Sequence, residues 1–115
     1  MPVFNGSEGG WISRSAAKDG IDEYVASSAY VVNQNIKAHY FGRDFLDALL
    51  AQSGCVGLRI WYGIGPDSTN TDVPQLYVVG VDANGNDILP ATNPLVADMS
   101  MPCPRNCPTG TSLDN

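Results

Sequence analysis

The sequence predicts an α+β domain in which two N-terminal helices pack on a three- or four-stranded antiparallel β-meander. Two amphipathic segments, about residues 14–28 and 43–52, precede two strand-like segments. Apolar residues recur every three or four positions in the two amphipathic segments, and at alternate positions in the first strand-like segment. An Asn-Gly pair follows the second strand and is a strong hairpin signal. Helices followed by strands indicate an α+β chain.

The two helix predictions depend on apolar spacing and on residues suited to helix ends. Ser13 is the expected N-cap of the first helix. The first helix carries apolar residues on one face, namely Ala17, Ile21, Tyr24 and Val25. The second helix carries an apolar stripe made of Phe45, Leu46, Leu49 and Leu50. Gly54 is suited to end the second helix, because glycine readily adopts a left-handed conformation.

The meander is expected from about Cys55 to Leu89. Its first strand has one apolar face, formed by Val56, Leu58, Ile60, Tyr62 and Ile64. The second strand, Leu76 to Val81, is nearly all apolar, which predicts that both of its faces are covered. Residues 82–87 form the hairpin turn, and Ile88 and Leu89 begin a third strand. A short strand or an extended link is also expected over residues 36–40.

The expected organisation is one domain between two polar ends. Residues 1–10 are rich in glycine and are expected to form a flexible arm. Residues 11–101 form the single α+β domain, in which residues 95–101 either make a last strand or lie across a sheet edge. Residues 102–115 form a tail that contains proline and cysteine.

Charge and hydropathy exclude several classes of partner. The 115-residue chain has 12 acidic and 6 basic residues, and its net charge is -6. The basic residues are scattered, so neither a nucleic-acid surface nor a polybasic membrane patch is expected. No apolar stretch is long enough to span a bilayer, and no signal peptide is recognisable. The expected location is therefore cytoplasmic by default, with an extracellular or surface location left open.

Three segments of the chain resemble a known group of proteins. They are IKAHYFGRDFLDALLAQSGCVGLRIWYG, QLYVVGVDANGND and the closing CPRNC. Together they resemble a group of small uncharacterised proteins encoded in Bacteroidota genomes, over about residues 12–107. The link between the two strands is shorter in that group, so residues 65–74 are a point of divergence. The resemblance implies one structural unit and no activity, cofactor or catalytic residue.

The cysteines leave several chemistries open. Cys103 and Cys107 are suited to a disulfide that closes a small ring in the tail. They are also compatible with unpaired thiols, a redox pair, or half of a metal site completed by Cys55 or His39. The spacing matches no standard zinc motif, so no metal and no cofactor is predicted. Cys55 itself is interpreted as a small buried hydrophobe.

The remaining candidates favour binding over catalysis. His39 is the single histidine and is interpreted as a solvated or structurally hydrogen-bonded residue, so no catalytic residue is predicted. The acidic turn 82–87 lacks the spacing of a calcium loop and is interpreted as a turn. Arg59, Trp61 and Tyr77 are predicted to share a face that is either a binding surface or a second core layer.

The sequence therefore favours a protein that is not an enzyme. It is expected to associate with itself or to bind another protein, as a homo-oligomer or filament subunit, through strand edges and terminal arms. The alternative is a cysteine-dependent protein that uses Cys103 and Cys107 for metal binding or redox chemistry.

Overall fold

A computed structural model describes residues 4–27, 36–66, 70–98, 100–103 and 107–113, which fall into two compact units. The larger unit joins residues 4–9 to residues 41–100, and the smaller joins residues 10–40 to residues 101–113. The mixed α+β class is confirmed. The helices are α1 (Arg14–Ala26) and α2 (Arg43–Leu50), and the strands are β1 (Ala38–Tyr40), β2 (Cys55–Pro66), β3 (Asp72–Asp82) and β4 (Met101–Cys103). A compact unit need not be an independently folding domain, so the single domain over residues 11–101 stays a prediction.

The strands form two antiparallel two-stranded sheets and not one meander. β2 pairs with β3 in the larger unit, and β1 pairs with β4 in the smaller. The predicted third strand at Ile88 is reduced to one bridge, between Val81 and Asp87, and one hydrogen bond from the Ile88 amide to the Gly80 carbonyl at 2.8 Å. Pro90 follows two residues later and has no amide hydrogen to continue the ladder, which explains why the strand stops.

The β2–β3 hairpin is longer than predicted. Eleven Cα pairs run from Cys55 opposite Asp82 to Pro66 opposite Asp72, with one irregularity between Cys55 and Gly57. The link over residues 65–74 therefore contributes both of its ends to the strands. Residues 67–69 of that link lie outside the described residues.

The core of the larger unit lies where α2 crosses the sheet. Leu49 of α2 is only 2 % exposed and packs with Val78 of β3 and with Ala97, while Phe41 and Leu58 lie against this cluster. Ala97 is held there because it exchanges two backbone hydrogen bonds with Val78, at 3.0 and 2.8 Å. Of the predicted α2 stripe, Leu49 alone is buried.

The structure confirms the cap predicted for the start of α1 and moves the one predicted for the end of α2. The Ser13 hydroxyl accepts a hydrogen bond from the Ala16 amide at 3.1 Å, which confirms Ser13 as the N-cap of α1. α2 ends at Leu50 and its C-cap is Ala51, so the prediction that Gly54 caps this helix is wrong. Gly54 instead adopts a φ of 79° in the turn that leads into β2. Glycine is favoured there because other residues are strained at positive φ.

The prediction that both helices pack on one sheet face is wrong for α1. This helix belongs to the smaller unit and buries none of its residues. Ala17 and Ile21 are half-buried, whereas Tyr24 and Val25 on the same predicted face are exposed. Ile21 is therefore the one large residue on the apolar side of α1 that is half-buried. The apolar area that it buries is too small to hold a helix against a sheet.

Residues 4–9 are ordered by local contacts. The Glu8 carboxylate accepts hydrogen bonds from the amides of Asn5 and Gly6, at 2.7 and 2.9 Å. These bonds, the one from Asn5 first, lower the pKa of Glu8. The Phe4 ring lies against Gly85, at the hairpin turn. The segment expected to be a flexible arm thus carries specific contacts within the larger unit.

Candidate functional site

One face of the β2–β3 hairpin brings together the three residues predicted to form a binding surface. Trp61 and Tyr77 are directly opposite each other in the ladder, and Arg59 lies two residues before Trp61 on the same face. The Tyr77 ring covers Gly63, where any β-carbon would overlap it, and its hydroxyl donates to the Ile64 carbonyl at 3.3 Å. Tyr77 is thereby held flat on the sheet, while Trp61 stays 52 % exposed.

Asp87 joins this face and was missed by the sequence analysis. Its carboxylate forms an ion pair with Arg59 and accepts a hydrogen bond from Trp61 Nε1 at 3.0 Å. Arg59 also donates to the Gly85 carbonyl at 3.0 Å. The one signal in the sequence that could have identified Asp87 was its position directly after the Asn-Gly turn, where the chain returns beside β3. Both carboxylate oxygens accept hydrogen bonds, so the cluster fixes the orientation of the Trp61 indole.

The turn itself is organised by Asp82. Its carboxylate oxygen Oδ1 accepts hydrogen bonds from the amides of Asn84 and Asn86, at 2.9 and 3.0 Å. Gly85 adopts a φ of 82°, and its amide donates to the Asp82 carbonyl. This is an Asx-type turn, which accounts for the oxygen-rich sequence through hydrogen bonding. Among the described residues, no three His, Cys, Asp or Glu side chains are grouped to hold a metal ion.

The outer edge of β2 follows from the pairing pattern of the hairpin. Val78 exchanges hydrogen bonds with Ala97 on the outer side of β3, so its pairing with Ile60 is of the non-hydrogen-bonded kind. In an antiparallel ladder every second residue of β2 forms such a non-hydrogen-bonded pair. The amides and carbonyls of these residues therefore point away from β3. These residues are Leu58, Ile60, Tyr62 and Ile64. Within the described chain, no other strand pairs with this edge.

Three of the four side chains along that edge are apolar and accessible, whereas Leu58 is half-buried against the core. Ile60, Tyr62 and Ile64 are 55, 91 and 75 % exposed, on the same sheet face as the α2 contact. The two prolines of the hairpin, Pro66 in β2 and Pro74 in β3, also occupy non-hydrogen-bonded positions of the ladder. Their missing amide hydrogens therefore cost the β2–β3 ladder nothing. We call Leu58, Ile60, Tyr62 and Ile64 the β2 edge.

The tail cysteines are paired. Cys103, at the end of β4, forms a disulfide with Cys107, and their Cα atoms are 4.5 Å apart. Cys55 is free and half-buried, and its thiol donates to the Gly57 carbonyl at 3.2 Å. The disulfide prediction is therefore the one the structure supports, and paired sulfurs are not available as thiolate ligands.

His39 lies in β1, opposite Pro102 of β4. Burial lowers the pKa of His39 below its ordinary value near 6.5. The unfolded chain then binds the proton more readily than the folded chain. We expect the smaller unit to keep its full stability above about pH 6.5 and to lose part of it as the pH falls towards the lowered pKa. NMR titration of the His39 ring should give a midpoint below that measured in urea, and equal midpoints would contradict the prediction.

Comparison with protein families, curated proteins and solved structures finds no match to this chain. The resemblance to the Bacteroidota group therefore stays a prediction. No helix among the described residues is long and apolar enough to cross a membrane.

Proposed function

We propose that this protein is not an enzyme and that it forms a homodimer by strand addition at the β2 edge. The observation that carries the proposal is the row of outward-pointing amides and carbonyls beside exposed apolar side chains. Such an edge is a template for another strand, and soluble proteins ordinarily protect it with charges, bulges or a covering segment. Residues 60–66 carry no charge at all.

The sequence of β2 suits antiparallel pairing with a second copy of itself. A two-fold axis at Tyr62 places the two Tyr62 residues opposite each other and places Ile60 opposite Ile64. The Tyr62 pair and the two pairs of Ile60 with Ile64 have both amides and both carbonyls directed at the partner, so the ladder is complete at these positions. It ends where Leu58 lies opposite Pro66, because Pro66 has no amide hydrogen to donate. Arg59 then lies opposite Gly65, so no like charges meet despite the net charge of -6.

Pairing of this kind makes one four-stranded sheet from two hairpins. The exposed apolar side chains of both copies then lie in one strip on the α2 face, which removes part of their surface from water. Each copy uses its β2 edge once, so the two-fold arrangement closes as a dimer and does not propagate as a filament. The binding role predicted for Arg59, Trp61 and Tyr77 belongs to the opposite face, where Trp61 offers an accessible ring for another protein partner.

The test is the molar mass in solution, measured by light scattering on the oxidised protein over a range of micromolar concentrations. We expect twice the chain mass of 12.2 kDa. Tyr62→Lys places two cations together at the two-fold axis and should shift the protein to monomer. Leu89→Lys is the matched control, because Leu89 is also exposed and apolar in the larger unit but lies outside β2.

Two outcomes would overturn this function. One is a monomer for the unmodified protein throughout the concentration range. The other is equal loss of the dimer in both lysine variants, which would show that added charge and not the β2 edge matters. Intact mass with and without reductant, together with metal analysis, separates the cysteine-dependent alternative. Bound metal or a reductant-dependent activity would favour that alternative.

A further inference from the structure

Cys103 lies at the centre of the smaller unit. It is 4 % exposed, and in the described part of the chain it is the one buried residue of that unit. Its backbone is fixed to β1, because it pairs with Ala38 and its carbonyl accepts a hydrogen bond from the Lys37 amide at 2.7 Å. That buried side chain is half of a disulfide, so the described core of the smaller unit depends on an oxidised pair of cysteines.

The disulfide ties the start of the tail, residues 107–113, back to β4. The tail residues are exposed apart from Ser112, which is half-buried, and even Leu113 is 51 % exposed. Arg14 of α1 donates a hydrogen bond to the Ser112 carbonyl at 3.3 Å, and Gly110 and Ser112 make further contacts. Contacts that exchange with water contribute little, and the tail buries little apolar area to add to them. Chain ends of this kind stay ordered where something ties them down, and the disulfide is that tie.

The two cysteines of the disulfide differ in their access to a reductant. Cys103 is buried, whereas Cys107 is exposed. A thiolate from solution therefore reaches the Cys107 side of the bond. Exposed disulfides are the labile and regulatory kind, and access decides which sulfur is attacked.

We propose that the disulfide between Cys103 and Cys107 is a redox-controlled clasp, which a dithiol reductant opens to release the tail from α1 and β1. One thiolate of the dithiol attacks the Cys107 sulfur, and Cys103 leaves as a thiolate that takes up a proton. The second thiol of the reductant then displaces Cys107 from the mixed disulfide. The reductant ends as a disulfide, and the protein gains two electrons and two protons as two thiols.

Opening the clasp uncovers apolar surface in the smaller unit. Ile21 of α1 and Ala38 of β1 line one cleft of about 340 Å³ together with Pro108 and Leu113 of the tail. Once Cys107 is no longer linked to β4, Pro108 and Leu113 are free to leave this cleft. The pairing of β1 with β4 uses backbone groups and does not need the disulfide. The larger unit contains neither of the two cysteines, so its core and the β2 edge keep their structure.

The experiment is NMR relaxation on the full chain, first oxidised and then reduced with dithiothreitol. We expect the backbone order parameters of Gly110, Ser112 and Leu113 to fall from about 0.8 to below about 0.6 on reduction, while that of Val78 in the larger unit stays unchanged. Intact mass should rise by two hydrogens in the same step.

A pair of serine variants separates the clasp from other effects of the reductant. Cys107→Ser should show the mobile tail without any reductant, and it leaves Cys103 in its buried place. Cys55→Ser is the matched control, because Cys55 is the free cysteine and belongs to the larger unit. It should keep an ordered tail until dithiothreitol is added.

Three results would overturn the clasp. They are a tail that stays ordered in the reduced protein, a tail that is equally mobile in both states, and a loss of order at Val78 that matches the loss in the tail. The last would show general unfolding and not release of the tail. The dimer proposal does not depend on the outcome, because the β2 edge belongs to the larger unit and is tested by molar mass.

Discussion

Leu49→Ala is expected to lower the free energy of unfolding of the larger unit by about 3 kcal/mol. The Leu49 side chain is almost fully buried, and it joins α2 to Val78 and Ala97. Truncation removes its transfer free energy and leaves a cavity, because the backbone of β3 is held by the β2 ladder on one side and by the bridges of Val78 and Val81 on the other. A loss of this size is a large part of the stability of a small domain.

The measurement is urea unfolding followed by fluorescence. The chain has two tryptophans, and they fall in different units, Trp11 in the smaller and Trp61 in the larger. In a Trp11→Phe background, the signal therefore reports the larger unit alone. Leu50→Ala is the matched control, since Leu50 is the next residue of α2 and is 49 % exposed. It should cost less than about 1 kcal/mol. Equal losses for the two variants would contradict the assigned core.

Asp87→Ala is expected to destabilise the larger unit by about 2 kcal/mol. The substitution removes the ion pair to Arg59 and the hydrogen bond from Trp61 Nε1. Arg59 is about one third exposed, so water recovers part of the lost interaction and the effect stays below that of a fully buried pair. The Trp61 indole should also lose its fixed orientation, which an NMR shift of its Nε1 proton would record.

A double-mutant cycle separates the ion pair from other effects of these substitutions. Arg59→Ala and Asp87→Ala together should cost less than the sum of the single losses, with a coupling of about 1 kcal/mol. Asp72→Ala is the control for the loss of one negative charge, because Asp72 is exposed at the far end of the same hairpin. Strict additivity of the two single effects would contradict a direct pairing of Arg59 with Asp87.

Local signals in the sequence accounted for the individual elements of the larger unit. The helix from Arg43, the alternation through Ile60 and Tyr62, and the Asn84-Gly85 turn are each readable within a few residues. Such signals reflect side-chain period and backbone hydrogen bonds between near neighbours, which act whatever the rest of the chain does. The alternation also placed Arg59, Trp61 and Tyr77 on one face.

The pairing of strands was not readable in the same way. β1 and β4 are three residues each and lie more than sixty residues apart, so neither carries a usable period. The position of Ala97 was not readable from the sequence either. Its hydrogen bonds with Val78 place it next to Leu49 in the core. Asp87 contacts Arg59 and Trp61 because of the path that the backbone takes through the turn. The spacing of residues in the sequence does not specify that path.

The sequence by itself determined the α+β class, the Ser13 cap, the second helix, the two long strands and the turn between Asp82 and Asp87. The tertiary structure decided that these strands make two small sheets, that α1 lies outside the larger unit, and that the β2 edge is left unpaired within the described chain. The physical reason is the range of the forces involved. Helix, strand and turn formation depend on neighbours in the chain, whereas a sheet partner is chosen by competition among distant segments for the same amides and carbonyls.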